Sequence, residues 1–439
     1  FTQMVNLPID YSDKPVTPFG GMAIMKRFLD QVGIREKLGS LDLPSPGSNR
    51  GYRSEQIIES FWLNVWTSAS RYVHCNWLRE DAVIQDIFGF KSMPSQSTYS
   101  RFFGKFSQAR NNAVFPELQQ WFFDQINIGP VTVDFDSTVI TREGKQEGAA
   151  LGYNPNRRGR NSHHPLLAFV GETKMVANAW LRPGNTAASS NCEAFMDETF
   201  EQSLGGQQVG LVRADSGFYT EKILNCLEAR ALNYIIAVRC YPNIKRSIYG
   251  LKDWVEICDG IDVCEFIHQS AQKGAKPRRH FVVRKRIERR PEAGGKLLFE
   301  DLPEYRYSSY VTNLELPVVQ IWNLYNGRAD CENRIKELKQ DFGLESFCLK
   351  DFWATEASFR WIMVAYNLMM LFQHAGLNQG RTRTLKTLKS QCFAIGAWTS
   401  DHARKTVLKL SLPRKKRPWM DSIVRNIEQL TFPIQFSNA

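Results

Sequence analysis

The chain has 439 residues, with 56 Lys and Arg against 45 Asp and Glu and a formal charge of +11. At 43% hydrophobic and 23% charged residues it is too apolar for a disordered chain, and it is long enough for several domains, each with its own core. The basic excess favours a polyanionic partner, nucleic acid ahead of an acidic small molecule.

The longest apolar run, Trp361 to Phe372, is interrupted by Asn367. It is shorter than the roughly 20 residues that cross a bilayer, so no membrane partner is expected. No signal peptide is visible, and a chain opening on Phe1 points to a lost native N-terminus. Nine scattered cysteines form no disulfide framework, and a reducing cytoplasm is the expected compartment. Cys258, Cys264 and His268 lie close together at a spacing that fits no zinc pattern.

In chain order, residues 1–128 read as a helical, DNA-binding region, with apolar positions at helical spacing in Met22 to Leu38, Ile57 to Trp66 and Pro116 to Ile126. Within it, Met93 to Gln108 opens on Pro94 and Ser95 and continues as a short helix that carries Arg101 outward, the form of a helix lying in a DNA groove or of any surface helix. Residues 129–239 change texture. Val131 to Ile140 alternates strictly, setting Val131, Val133 and Phe135 on one face and Asp134, Asp136 and Thr138 on the other. Strands are expected over His164 to Gly171, Thr173 to Leu181, Gln207 to Phe218 and Tyr234 to Val238. Helices are expected over Cys192 to Leu204 and Glu221 to Leu232, the second capped by Thr220. That order indicates a multi-domain α/β protein whose first core portion holds a mixed sheet.

Residues 240–317 read as a β-rich basic insertion containing Lys273, Lys276, Arg278, Arg279, Arg284, Lys285, Arg286, Arg289 and Arg290, with Glu288 nearly the only acid among them. So many like charges are either solvated or meet phosphates. Residues 318–375 complete the core. If Ile321 to Phe342 is one helix, Arg328, Glu332 and Lys339 fall at roughly −60°, −20° and −40° from Tyr325, beside an apolar stripe of Leu324, Cys331, Ile335, Leu338 and Phe342. An ordinary amphipathic helix with surface ion pairs would show the same pattern. Residues 376–439 read as a helical C-terminal region in which Arg414 to Arg417 form an exposed basic run.

Phosphodiester chemistry by two Mg²⁺ ions needs carboxylates converging from separate elements, and a strand acid, a second strand-end acid and a helix glutamate would supply them. The spacing Tyr325, Arg328, Glu332, Lys339 resembles the Tyr-Arg-Glu-Lys signature of bacterial insertion-sequence transposases, which have an Asp-Asp-Glu triad on a ribonuclease-H-like core. Asp136-Ser137-Thr138, Arg213 to Phe218, Gln146 to Ala149, Gly152 to Pro155 and Arg182 to Thr186 extend the likeness over roughly residues 130–375.

The resemblance implies Asp136, Asp215 and Glu332 as catalytic acids and ligands of two Mg²⁺ ions, with Mn²⁺ as a substitute and Asp134 as the rival first acid. It implies Tyr325, Arg328 and Lys339 on the DNA phosphate near the cut. It also implies that the insertion lies between the second acid and the glutamate, where Trp254 is either a base-stacking residue or a core residue. His163 and His164 are expected at a strand start or on a phosphate.

The activity implied is cut-and-paste transposition of double-stranded DNA by a homodimer in the bacterial cytoplasm at the nucleoid. Rival readings are a structure-selective nuclease on the same core, a catalytically inactive DNA-binding protein, and a glycoside hydrolase with paired carboxylates, for which the basic insertion has no use.

Overall fold

The computed structural model describes residues 7–47, 51–155, 157–270, 275–287, 305–377, 382–402 and 405–436. Lys273, Glu288, Arg289 and Arg290 lie outside the described residues. The chain divides into two compact units. One comprises Phe1–Asn111, Glu337–Leu349 and Trp353–Thr431, and the other Asn112–Lys336, Lys350–Phe352 and Phe432–Ala439.

The first unit is built on helices. Helix Phe352–Phe372 is buried along nearly its whole length, and helix Ser54–Trp66 packs its aromatic residues against it. The indole N–H groups of Trp62 and Trp66 donate to the carbonyls of Trp361 and Ala365, each at 3.1 Å. The four-residue step of one helix thus matches that of the other.

Helix Gln96–Phe103 turns Tyr99, Phe102 and Phe103 inward and leaves Arg101 exposed. The Tyr99 hydroxyl donates to Ser60 Oγ at 2.9 Å and accepts from Asn64 at 3.2 Å, so its buried oxygen is satisfied. The C-terminal region departs from the helical expectation, because Ala397–His402 and Lys405–Leu410 pair as an antiparallel hairpin. The cause is local: Lys405, Val407 and Lys409 alternate with Thr406, Leu408 and Leu410, a period of two.

The second unit is organised by a sheet. In chain order its strands are β1 (Val131–Ser137), β2 (Ile140–Thr141), β3 (Ala150–Leu151), β4 (Asn161–His163), β5 (Leu166–Val170), β6 (Val176–Trp180), β7 (Val209–Ala214), β8 (Tyr234–Val238), β9 (Val255–Cys258), β10 (Ile261–His268), β11 (Arg278–Arg286) and β12 (Tyr305–Thr312). Among the described residues, nine of them form one sheet in the order β9-β10-β11-β12-β8-β7-β1-β5-β6, and β2, β4 and β3 form a small second sheet. Strands β1, β5 and β6 are an antiparallel meander, and β7 and β8 run parallel to β1, which is the ribonuclease-H-like arrangement.

The helices of this unit that bear on the site are α1 (Cys192–Asp197), which continues into a π-helical turn Glu198–Ser203, α2 (Glu221–Ala229), capped by Thr220, α3 (Val318–Asn326) and α4 (Ala329–Gln340), whose residues from Glu337 on belong to the first unit. Phe135 of β1 lies edge-on to Phe195 and Phe200, 5.9 and 5.7 Å between ring centroids, which fixes one face of the central strand as core.

The β-rich segment is continuous with the core. Strand β12 pairs antiparallel with β8, so β9 to β12 extend the same sheet, and α3 covers that extension through Ile321, packed with Leu211, Ile235, Val263, Phe281, Val283 and Tyr310.

The buried tryptophans of the helical unit make a direct test. Trp62→Ala should lower the unfolding free energy by about 3–5 kcal/mol in urea titration, and Trp62→Phe, which keeps the ring and loses only the hydrogen bond, by about 1 kcal/mol.

Candidate active site

Asp134 and Asp136 leave β1 on the same face, and their partners separate them. The parallel register sets Asp134 opposite Arg213 of β7. Arg213 Nε donates to Asp134 Oδ1 at 2.6 Å and Nη2 to Oδ2 at 2.8 Å, a bidentate pair buried at both ends. Burial pushes the Asp134 carboxyl up and Arg213 pulls it back. The third nitrogen, Nη1, donates to the carbonyl of Leu324 in α3. Asp134 is therefore held as a structural carboxylate.

That last bond breaks the helix expected over Ile321 to Phe342. A continuous α-helix would give the Leu324 carbonyl to the Arg328 amide; here Arg213 takes it, and Arg328 N bonds instead to Tyr325 O at 2.9 Å. The chain tightens at Gly327-Arg328 and restarts as α4. A Cβ on residue 327 would lie 2.5 Å from Arg213 Nη1, so any side chain there would have to displace the guanidinium. Leu324 consequently leaves the expected apolar stripe and is 39% exposed, whereas Cys331, Ile335, Leu338 and Phe342 are buried.

The tightened turn delivers Arg328 to the acids. Its Nη2 lies 3.0 Å from Asp136 Oδ2 as an ion pair without hydrogen-bond alignment, and its Nη1 lies 3.5 Å from Glu332 Oε1. Arg328 is itself buried. Burial pulls its pKa down, and Asp136, Tyr325, Cys331 and Asp215 together more than offset this, holding it above the ordinary arginine value. Asp215, half-buried just beyond β7, accepts from the Gly217 amide at 2.9 Å and adds its field to Asp136, Arg328 and Tyr325.

Asp136 is thereby pushed up to about 6, first by burial and then by Asp215 and Glu332, against the opposing pull of Arg328 and the Ser137 amide. Glu332 remains the open member, with its side chain 71% exposed.

Of the three carboxylates, from β1, the end of β7 and α4, Asp215 and Glu332 both raise the cost of ionising Asp136, and carboxylate oxygens are the donors a hard divalent cation takes. As placed, no three His, Cys, Asp or Glu side chains among the described residues stand close enough together to hold a metal, and the cation among the acids is the Arg328 guanidinium.

Other expected site residues fall elsewhere. Tyr325 packs its ring 4.5 Å from that of Tyr310, and burial raises its pKa. Lys339 belongs to the helical unit and pairs with Glu345 at 2.9 Å. His163 accepts on Nδ1 from Arg142 at 3.0 Å and donates from Nε2 to Glu147 O at 2.9 Å, and burial lowers it to about 4, so it is a neutral structural imidazole. His164 donates from Nδ1 to Thr186 O at 2.6 Å and takes the Ser137 hydroxyl on Nε2 at 3.1 Å, which fixes the residue that follows Asp136.

The basic stretch needs correction residue by residue. Arg278 is buried and spends its guanidinium on Glu221, Glu228 and Asn225, so it is a structural ion-pair centre, not a free phosphate ligand. Arg279 is held by Glu265 and the carbonyls of Leu314 and Leu316. Arg284 pairs with Asp262 at 2.5 Å and lies 4.1 Å over the half-buried Trp254 ring, whose indole N–H bonds locally to Leu251 O. Lys285 and Arg286 are exposed and make no ion pair among the described residues.

The sheet order and the carboxylates beside its central strands define the class, a ribonuclease-H-like α/β protein. A model of the family Transposase DDE domain group 1 matches residues 5–432, and the chain belongs to that family of DDE transposases. Among solved structures it is similar to the piggyBac transposase synaptic complex with hairpin DNA, at 12% identity and a TM-score of 0.46, covering 95% of this chain and 85% of that one. It is also similar to the Drosophila P element transposase strand transfer complex, at 14% identity and a TM-score of 0.24, covering 48% of this chain and 42% of that one. No curated protein matches the sequence. No helix among the described residues is long and apolar enough to cross a membrane.

Removing Arg213 would strand a buried carboxylate. Arg213→Ala should cost about 3–5 kcal/mol of stability in urea titration, and Arg213→Lys should recover only part of that, because an ammonium cannot bind Asp134 bidentately.

Asp136 gives a pH signature. Its folded pKa of about 6 lies above the ordinary 3.8, so the folded chain holds the proton longer and loses stability as pH rises through that window. Relative to Asp136→Asn, which does not titrate there, the wild-type chain should lose on the order of 2 kcal/mol between pH 4 and pH 7, measured by urea unfolding at each pH.

Proposed function

We propose that this DDE transposase is a cut-and-paste enzyme of the bacterial insertion-sequence branch that carries the Tyr-Arg-Glu-Lys signature. It binds the terminal inverted repeats of its element, hydrolyses a phosphodiester at each end and joins the freed 3′-hydroxyl to target DNA. The observation that carries the reading is Arg328 lying between Asp136 and Glu332, which brings acids from two elements to one guanidinium with Asp215 of a third in its field.

Asp136, Asp215 and Glu332 would hold two Mg²⁺ ions, or Mn²⁺ in their place, and Asp134 stays with Arg213. Bound metal would lower the pKa of the attacking water and stabilise the leaving oxygen. Arg328 Nε is buried without a hydrogen-bond partner, a donor suited to a phosphate oxygen. Tyr325, in the field of Asp215 and Asp136, completes the proposed grip on the phosphate, and Lys285 and Arg286, with Arg101 and Lys339 of the helical unit, supply proposed backbone contacts. Bringing two element ends together calls for two protomers on DNA, and the bacterial nucleoid is the proposed place of action.

The test incubates the purified chain with Mg²⁺ and a plasmid carrying the DNA that flanks its own gene, and maps every broken and joined end. Paired cuts at inverted repeats followed by joining are expected. Asp136→Ala, Asp215→Ala and Glu332→Ala should each lower cutting by at least about a thousandfold while end binding by gel shift persists. Cutting without joining would make the protein a nuclease, and binding without cutting by the wild type would make it a DNA-binding protein.

A further inference from the structure

The glycine-rich and arginine-rich segments around the small β2-β4-β3 sheet have no role in the chemistry above, yet they converge on it. Ile140 and Thr141 pair with His163 and Ser162, and Ala150 and Leu151 pair with Ser162 and Asn161. The root of this flap is packed backbone against backbone. A side chain on Gly152 would run into the Gly184 carbonyl, and one on Gly184 into those of Ser162 and Ala150. The Gly184 amide bonds to Gly148 O at 3.2 Å. The tip is pinned as well: buried Asn154 donates to Thr141 Oγ1 at 3.0 Å and caps the Arg157 amide at 2.9 Å. These contacts tie the root of the flap, and Asn154 and Arg157 towards its tip, to the rest of the small sheet.

What it presents is unusual for a solvated edge. Tyr153 is 70% exposed and Leu151, two residues before it, 64%. Around them residues 140–160 carry five Lys and Arg against two Glu. Arg157 and Arg160 share Glu143, at 2.5 and 3.8 Å, and exposed Arg158 makes no ion pair among the described residues. An apolar aromatic tip in a basic rim fits a polyanion that also offers flat apolar faces, which is nucleic acid.

The flap stands beside the acids, because β4 runs directly into His164, whose ring holds the hydroxyl of Ser137 next to Asp136. Counting extended residues at about 3.3 Å each from Ser137 through β4 to Tyr153 gives a reach on the order of 15–20 Å, about five base pairs.

We propose that this flap is a second DNA-contacting element beside the active site, in which Tyr153 stacks on a base within about five base pairs of the cleaved phosphate and Arg158 contacts the backbone beside it. The inference rests on the transposase reading, and its test separates the two. Full-length wild type, Tyr153→Ala, Tyr153→Trp and Arg158→Ala would be compared by gel shift and Mg²⁺-dependent cutting on duplexes from the flanks of its own gene, with each base near the cut replaced in turn by an abasic site.

Tyr153→Ala should weaken cleaved-end binding about tenfold with an unchanged thermal midpoint, and Tyr153→Trp should bind as wild type. At one position the abasic site should cost the wild type about tenfold and Tyr153→Ala nothing further, the non-additivity of a direct contact. Arg158→Ala should lower the slope of log affinity against log salt by about one. Additive effects at every position, or wild-type binding by Tyr153→Ala, would overturn the flap's role while leaving the transposase reading standing. A wild type that neither binds nor cuts these duplexes would overturn both.

Discussion

The buried pair between Asp134 and Arg213 is the constraint from which the geometry of the acids follows. A guanidinium taken out of water must have its donors satisfied, and here two go to one carboxylate and a third to the Leu324 carbonyl. That third bond removes the acceptor a continuous helix would need, so the chain tightens at Gly327-Arg328. The turn in turn brings Arg328 to Asp136 and keeps Glu332 one helical turn further on, open to solvent. Arg213 thus links the central strand, its parallel neighbour and α3, the helix just before the one that carries the third acid.

The two aspartates of β1 show how identical chemistry acquires different roles. Both are buried on one face, two residues apart. Asp134 meets a partner matched to it in charge and geometry and is spent on structure. Asp136 meets Arg328 in poorer alignment, accumulates the fields of Asp215 and Glu332 and is left with a raised pKa. A strained electrostatic balance of this kind marks a site built for a ligand more than one built for stability.

The basic residues of the insertion divide in the same way. Cross-strand register and the neighbouring helix α2 consume Arg278 and Arg279, and Asp262 and Trp254 hold Arg284, while Lys285 and Arg286 stay exposed with no ion pair among the described residues. Charge density in sequence therefore overstates the cationic surface, because among the described residues Lys276, Arg278, Arg279 and Arg284 are matched by acids brought close by folding.

Much was legible from the sequence by itself. Period two in Val131 to Ile140 gives the central strand and its two-acid face, and the alternation of strands and helices gives the mixed sheet. The spacing of Arg328 and Glu332 gives their pairing, since these signals are local. Other features depended on tertiary structure. The parallel register that puts Arg213 against Asp134, the helix break at Gly327, the joining of β12 to β8 that makes the insertion part of the main sheet, and the meeting of Gly148, Gly152 and Gly184 all join residues distant in sequence. Periodicity reports which face a residue occupies, but the partner waiting on that face is set by strand order and packing, which no local pattern encodes.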